Sequence, residues 1–315
     1  MVLVVIKEFI RMQTRKWINR GVMTSAIALA ACAFTARAGL THLYTFNDGT
    51  ANDSVGGANG TLVDGSIAGV PTVSGGQLQL NNPNFSGPSS SANYLSLSPS
   101  ILPSSGSATI EMWFTFTGSG FFTEAWTFSN NANDSNPPNA SNGQYLMHTI
   151  SAPQGGPVPS GGGSHVAQSL AGYGGGAETD AFGTTPGIGA VGGGYLDDGE
   201  TFFAATVIDG TAGTLSYYLY DISAGGVGGL QQTITAIPLS SYSFTDAYLG
   251  RSAFAVDNAT SGSITEFRIY DSAQSAAQIA ADFAAGPIPE PSSLALVAIG
   301  ALGLLARWRF QRTNS

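Results

Sequence analysis

The feature of this sequence that most restricts its fold is the lack of a helical hydrophobic period between residues 40 and 271. Short segments rich in β-branched and aromatic residues alternate there with clusters of Gly, Asn, Ser and Pro. This spacing is typical of many short strands joined by turns, so we predict an all-β sandwich. A single helix, over residues 273–284, is predicted from an apolar stripe at helical spacing. The clearest predicted strands cover residues 42–46, 77–80, 94–97, 109–117, 125–128, 145–150, 202–208, 215–220, 247–249 and 264–270.

The longest of these strands shows the two-residue period most clearly. Alternation places Ile110, Met112 and Phe114 on one of its faces. Glu111 and Trp113 lie on the other face. The first face is apolar throughout, so we predict that it lies in the core.

Charge is distributed unevenly along the 315 residues. Nine of the 11 Lys and Arg residues precede residue 39 or follow residue 306. The segment between them has 19 of the 20 Asp and Glu residues, but only two Lys or Arg residues, Arg251 and Arg268. We interpret both arginines as structural ion-pair partners, Arg268 with Glu266 on the same strand face. So acidic a surface repels phosphate, which excludes nucleic acids as partners. Anionic lipids and polyanionic polysaccharides are disfavoured by the same sign of charge, whereas neutral glycans and divalent cations are compatible with it.

The first 38 residues have the three parts of a secretory signal peptide. A basic region ends at Arg20, an apolar stretch covers residues 22–34, and a triplet with small outer residues ends at Ala38. We predict cleavage after Ala38. The alternative is lipidation of Cys32, because residues 29–32 resemble a bacterial lipobox. Cys32 is the only cysteine, so the folded part has neither a disulfide nor a thiolate metal site.

The C-terminus carries a second three-part signal, over residues 287–315. Pro289, Glu290 and Pro291 precede a Leu/Ala/Gly-rich apolar span, and a tail with three arginines follows it. This order resembles the PEP-CTERM sorting signal of Gram-negative bacteria. The resemblance implies processing by an exosortase-type enzyme. Before processing, residues 292–308 would form a helix that anchors the exported protein in the inner membrane. Processing would then release the protein to the cell envelope or surface. The alternative is a plain tail anchor.

Two further motifs indicate one fold for residues 39–286. This region begins with LYTFNDGTANDSVGGANGTLVDG and ends with GSITEFRIYDSAQSAAQIAADF. In this order they resemble a laminin-G-like domain, which implies a concanavalin-A-like jelly roll. A Gly-rich stretch over about residues 152–198 departs from the family pattern. We predict a surface loop there, and the alternative is a flap that grips a ligand with its aromatic residues.

No catalytic residues are predicted. Retaining glucanases of this fold need two carboxyls about 5 Å apart. The nearest match to their strand motif begins at Glu178 and has Gly183 where the second Glu belongs. There is no Gly-x-Ser-x-Gly motif, and the three histidines lie in unrelated contexts. A glycan-cleaving enzyme with an unrecognised active site stays the alternative.

Calcium is the cofactor that this sequence could accommodate, since Ca²⁺ takes roughly six to eight oxygen ligands. Asp48 and Asp53 lie in the opening motif, where a turn can bring side chains together. Glu266 and Asp271 belong to the closing strand, which such folds often pair with the first. We predict a calcium site from these four residues. The alternative is Asx-turn hydrogen bonding to the backbone, which needs no ion.

Binding of a neutral polysaccharide needs exposed aromatic side chains. The sequence offers Trp113, Tyr218 and Tyr220 on strand faces opposite the apolar ones, and the alternative for Trp113 is a packing role. We therefore expect an exported, surface-sorted, non-catalytic protein that binds carbohydrate or acts in adhesion in the extracellular matrix. A glycan-cleaving enzyme and a purely structural matrix protein are the alternatives.

Overall fold

The structure is a computed structural model that describes residues 39–65, 69–82, 91–104, 106–117, 123–130, 144–153, 165–173, 177–182, 199–236, 238–255 and 257–288. All of them belong to one compact unit, Gly39–Glu290. The predicted signal peptide and the predicted C-terminal helix lie outside these residues. Within them, no helix is both long and apolar enough to cross a lipid bilayer.

Fifteen strands occur in the described residues, and they form two antiparallel sheets. In chain order they are β1 (Leu40–Tyr44), β2 (Thr61–Val63), β3 (Thr72–Ser74), β4 (Gln77–Gln79), β5 (Tyr94–Leu97), β6 (Ala108–Phe116), β7 (Thr123–Ser129), β8 (Gln144–Pro153), β9 (His165–Tyr173), β10 (Ala177–Phe182), β11 (Thr201–Asp209), β12 (Thr214–Asp221), β13 (Val227–Thr235), β14 (Asp246–Leu249) and β15 (Gly262–Tyr270).

One sheet has eight strands and the other has seven. The eight-stranded sheet follows the order β13-β12-β11-β6-β15-β4-β3, and β1 pairs with the C-terminal half of β15 beyond β4. The seven-stranded sheet follows the order β10-β9-β8-β7-β14-β5-β2. Every predicted strand is present, so the predicted all-β sandwich is confirmed.

The Gly-rich stretch over residues 152–198 is not a loop throughout. Strands β9 and β10 lie within it and extend the seven-stranded sheet outward from β8. The prediction of a structureless insert is wrong for these two strands. Small residues such as Ala, Ser and Gly occur at many of their positions, and they hide the two-residue alternation on which a strand prediction depends.

The main core lies between the two sheets. From β6, Ile110, Met112 and Phe114 face it and are at most 2% exposed, as the strand period predicts. Trp126 and Phe128 of β7 join the same cluster from the seven-stranded sheet. Burying each large apolar side chain stabilises the fold by about 1.5–3 kcal/mol. In a domain without disulfides, this packing is the main source of stability.

The α-helix of the described part, α1 (Ala276–Ala285), follows β15. It begins at a capping box in which Ser275 and Gln278 each accept a hydrogen bond from the other's backbone N–H. It ends at Gly286, whose φ of 72° is readily adopted by a residue without Cβ. The predicted helix over residues 273–284 is confirmed, and it starts later because Ser275 takes the N-cap position.

Helix α1 packs onto the outer face of the eight-stranded sheet. Ile279 is fully buried in a second apolar cluster that includes Trp113 and Phe203. Phe283 stacks on Tyr220, with ring centroids 4.2 Å apart and planes 16° apart. The helix therefore shields this face of the sandwich from solvent.

A buried arginine links β15 to β6 on the shielded face. Arg268 is fully buried, its Nε donates to Glu266, and one of its terminal nitrogens lies 3.3 Å from Glu111 Oε2. The guanidinium carbon lies 4.2 Å from the Trp113 ring centroid. Burial alone would lower the pKa of Arg268, but the two carboxylates more than offset this and raise it, so the arginine stays charged. The predicted ion pair with Glu266 is confirmed.

We expect Arg268→Met to lower the free energy of unfolding by about 3–5 kcal/mol, because it leaves two buried carboxylates without a cation. Urea denaturation of the purified chain, followed by tryptophan fluorescence, measures this loss. The control is the triple variant Glu111→Gln/Glu266→Gln/Arg268→Met, which removes every charge of the group and should lose less stability. Equal losses in the two variants would show that charge is not the cause.

Candidate functional site

The aromatic residues predicted to bind a glycan lie on the face that helix α1 covers. Trp113 is 1% exposed and Tyr218 is 6% exposed. Tyr220 is half-buried and stacked on Phe283. The predicted strand faces are correct, but an outward side chain is not exposed where a helix packs on the sheet. This geometry does not support Trp113, Tyr218 and Tyr220 as a surface platform.

Asp53, one of the predicted calcium ligands, organises the loop between β1 and β2. Its carboxylate accepts hydrogen bonds from the backbone N–H groups of Leu43, Gly56 and Ala58 at 2.9–3.0 Å. The Nδ1 atom of His42 lies 2.6 Å from Asp53 Oδ2. Burial alone would raise the pKa of Asp53, but the hydrogen bonds from His42 and the backbone outweigh it and hold the pKa well below its usual value. These contacts are the Asx-turn alternative to calcium.

The other three predicted calcium ligands have separate surroundings. Asp48 is exposed and accepts hydrogen bonds from Thr50 and Asn52 in its own turn. Glu266 belongs to the ion cluster under helix α1, and Asp271 follows the end of β15. Among the residues that the structure describes, no group of three or more His, Cys, Asp or Glu side chains is placed to hold a metal ion. Calcium binding stays a prediction, and these four residues do not form a common site for it.

An arginine held between two tyrosines lies on the outer face of the seven-stranded sheet. The guanidinium carbon of Arg251 is 4.7 Å from the ring centroid of Tyr248 and 5.0 Å from that of Tyr94, within the range of cation–π attraction. The two rings meet edge to face with centroids 5.0 Å apart. The Tyr248 hydroxyl donates to Asp246 Oδ1 at 2.9 Å. We call Tyr94, Tyr248 and Arg251 the tyrosine–arginine stack.

The loop between β14 and β15 covers the neighbouring part of this face. Its Phe254 packs edge to face against Tyr145 of β8, with ring centroids 5.2 Å apart. Its Ser252 hydroxyl donates to Asp257 at 2.6 Å and accepts a hydrogen bond from the Phe254 backbone N–H. These contacts hold the loop over the sheet.

Beneath this loop lies Glu124 of β7, which is 1% exposed. Burial, together with the nearby charge of Asp257, raises the pKa of Glu124 well above its usual value. Hydrogen bonds from Ser252 and Thr149 offset only part of this rise. Glu124 is therefore a carboxyl group that retains its proton at a pH where an exposed Glu is ionised.

Four buried polar atoms of β7 have no hydrogen-bond partner among the described atoms: Thr123 Oγ1, Glu124 Oε2, Thr127 Oγ1 and Ser129 Oγ. Alternation along β7 sets Thr127 and Ser129 opposite the core residues Trp126 and Phe128, so both hydroxyls face outward. Buried polar atoms in native proteins are rarely left unpaired. Glu124, Thr127 and Ser129 are at most 1% exposed, so these atoms lie beneath the surface of this face.

The sequence analysis missed this face. Tyr94 and Tyr248 alternate with the core residues Leu95 and Leu249, so the strand period alone places them outward. Glu124 gave no signal, because its partners lie in a loop that is distant in the sequence. No spacing rule brings such residues together.

Comparison with known families identifies the C-terminus. Residues 287–309 match the family described as the PEP-CTERM protein-sorting motif, so the predicted sorting signal is confirmed. This motif is a substrate signal for exosortase processing and marks an exported, surface-sorted protein. It begins within the described residues and continues beyond them. No curated protein matches the chain.

Several solved structures have a related β-sandwich fold. The CBM40 of the Ruminococcus gnavus IT-sialidase, bound to α2,3-sialyllactose, is 12% identical with a TM-score of 0.38, over 56% of this chain and 82% of that chain. The binding domain of botulinum neurotoxin DC, in complex with rat synaptotagmin II, is 13% identical with a TM-score of 0.45, over 76% and 50%. The CBM2 module of the evolved Dit of Lactobacillus casei BL23 phage J-1 is 14% identical with a TM-score of 0.38, over 73% and 94%. Similarity at this level carries no argument about a ligand.

We expect Asp53→Asn to destabilise the chain by about 1–3 kcal/mol near pH 7, because one amide oxygen replaces a carboxylate that serves several donors. The stabilisation by the carboxylate is complete above the pKa of Asp in the unfolded chain, about 4, and is lost as the pH falls through the lower folded value. The difference from the wild type should therefore shrink below about pH 4. Thermal unfolding across this range measures it, and Asp48→Asn in the exposed turn is the control, with a much smaller expected effect.

We expect Glu124→Gln to raise the melting temperature near pH 8 and to leave it nearly unchanged near pH 4. A buried carboxyl with a raised pKa keeps a proton that the unfolded chain releases above about pH 4.3, so wild-type stability falls as the pH rises toward the folded pKa. Gln is neutral throughout and escapes this loss. A melting-temperature difference that stays constant with pH would contradict the raised pKa.

Proposed function

We propose that this is an exported, surface-sorted, non-catalytic protein that binds a neutral polysaccharide of the extracellular matrix. The binding surface in this proposal is the outer face of the seven-stranded sheet. The observation that carries it is the tyrosine–arginine stack, in which the ring of Tyr94 is only half-buried. The sorting motif at the C-terminus supports the exported location.

The chemistry of this face suits a sugar. Sugar rings have apolar C–H faces and polar edges, so their sites combine aromatic side chains with a few fixed polar groups. Tyr94 is half-buried and supplies the ring that a sugar can contact, while Tyr248 and Arg251, at 7% and 6% exposure, fix its position. The Tyr94 hydroxyl, which accepts a hydrogen bond from Arg251 at 3.3 Å, and the carboxylate of Asp246 supply polar groups at the edge of the stack.

The distribution of charge favours a neutral glycan over an anionic one. Arg251 and Arg268 are the only Lys or Arg residues between residues 39 and 306, and Arg268 is fully buried with two carboxylates. A single remaining arginine cannot neutralise a polyanionic chain against so many acids. The proposed ligand class is therefore uncharged polysaccharide.

We expect Tyr94→Ala to weaken the binding of a neutral polysaccharide about tenfold, because it removes a half-buried ring of the stack. Glycan arrays identify the ligand, and affinity electrophoresis in gels that contain it measures the loss. The matched control is Tyr220→Ala, which removes a half-buried tyrosine from the outer face of the other sheet and should bind like the wild type.

The same pair of variants decides between the two sheets. Loss of binding in Tyr220→Ala alone would place the site on the eight-stranded sheet, as the sequence predicts, and would contradict this proposal. An array of neutral glycans with no binding by the folded wild type would also contradict it.

One observation favours a second candidate function, the cleavage of such a glycan. Burial and the nearby charge of Asp257 raise the pKa of Glu124, as in the proton-donating acid of a glycosidase, but Glu124 is 1% exposed and must be uncovered before it can reach a glycan. Glu111 and Glu266 are fully buried and both contact Arg268 under helix α1, which leaves neither of them open to a glycan.

Release of reducing ends from a panel of neutral polysaccharides tests for cleavage. If the protein cleaves its ligand, Glu124→Gln should abolish release and retain binding, because the amide cannot donate the proton. A wild type that binds a polysaccharide and releases no reducing ends contradicts cleavage and leaves the binding proposal supported.

A further inference from the structure

The segment that leads from helix α1 to the C-terminus is held against the sandwich at three points. Arg268 donates from a terminal nitrogen to the backbone carbonyl of Gly286 at 2.9 Å. The backbone N–H of Ile288 donates to Glu266 Oε2 at 2.6 Å. Asn47, in the loop after β1, donates from its side chain to the carbonyl of Ile288 at 3.4 Å. We call these three hydrogen bonds the C-terminal anchor.

The C-terminal anchor overlaps the sorting motif. The matched motif begins at residue 287, so its second residue, Ile288, is held by the sandwich, and the other held residue, Gly286, directly precedes the motif. Pro289 follows Ile288 immediately in the sequence. There is therefore no free spacer between the folded domain and the Pro-Glu-Pro triplet.

Two of the three hydrogen bonds of the anchor involve ionised groups. Glu266 and Arg268 are fully buried and paired with each other, and hydrogen bonds to such charged groups are shorter and stronger than neutral ones. The third bond, from exposed Asn47, is neutral and weaker. The anchor can open locally without loss of the core, because it forms no part of either sheet.

An enzyme that cleaves a peptide commonly binds the flanking backbone in an extended form and uses its N–H and C=O groups. In the folded chain, the carbonyl of Gly286 and both backbone groups of Ile288 are already bonded to the sandwich. An enzyme that acts at Pro289–Pro291 needs these residues, so it competes with Glu266, Arg268 and Asn47 for the same groups.

We propose that the C-terminal anchor must open before the sorting motif is processed, so that local release of residues 286–288 limits the rate of processing. This inference depends on the sorting motif and not on glycan binding. In this proposal, the sandwich controls the access of the processing enzyme to the sorting signal.

The test uses the full chain in a Gram-negative bacterium that contains an exosortase-type enzyme, with pulse–chase conversion of the precursor as the readout. Asn47→Ala removes one neutral hydrogen bond at an exposed position, and we expect processing about two- to tenfold faster. A Gly-Ser-Gly-Ser insertion between Gly286 and Pro287 supplies a free spacer without touching the ion cluster, and it should also speed processing. The matched control is Asn52→Ala, which removes an exposed amide that bonds only within its own turn and should leave the rate unchanged.

Hydrogen exchange of the Ile288 amide in the purified chain shows whether each variant loosens the anchor. Faster exchange together with faster processing in Asn47→Ala and in the insertion variant supports the proposal. Faster exchange with an unchanged or slower processing rate overturns it. Because the insertion leaves every anchoring side chain in place, it keeps the test decisive even if Asn47→Ala fails to fold.

Discussion

The buried guanidinium of Arg268 is the interaction on which the outer layer of the eight-stranded sheet depends. It bonds to acids on β15 and β6, stacks on Trp113 and reaches the carbonyl of Gly286 beyond helix α1. Taking a guanidinium and two carboxylates out of water costs several kcal/mol per ion, and only a set of close partners offsets this cost. The cluster therefore contributes little to the net free energy of folding and more to the selection of one fold. Any other arrangement of helix and strand that separates these charges leaves one of them buried alone.

The two outer faces of the sandwich are covered in different ways, and this difference separates structure from candidate function. Helix α1 fills one face with apolar contacts through Ile279. On the other face, the loop after β14 packs against β8, and the ring of Tyr94 is only half-buried. Buried polar atoms without a partner among the described atoms occur at both faces, Gln274 Oε1 near the start of helix α1 and the hydroxyls of Thr127 and Ser129 on β7. What the second face offers a ligand is therefore the half-buried ring of Tyr94 and not these buried atoms.

Local pattern was enough to predict ten of the fifteen described strands, the helix and the pairing of Glu266 with Arg268, because each depends on residues near one another in the sequence. Strands β9, β10 and β13 were missed because glycine and small residues at many positions erase the alternation. Strands β2 and β3 were missed because three residues are too few to show a period. The stack at Arg251 and the environment of Glu124 were missed for another reason: both arise where β14 and the following loop come to lie beside β5 and β7. The strand period predicts on which face of the sheet a side chain lies, but not which other element covers that face. Trp113 therefore lies on the outer face, as predicted, and is nevertheless buried under helix α1.

The absence of cysteine from residues 39–315 also bears on how the chain end is held. A disulfide would fix the end permanently, whereas a hydrogen bond from a backbone N–H to a buried carboxylate opens and closes reversibly. The same Glu266 that balances Arg268 inside the fold accepts that bond from Ile288. One oxygen of this carboxylate serves Arg268 and the other serves Ile288. A substitution of Glu266 therefore removes a partner of the ion cluster and a partner of the chain end at once.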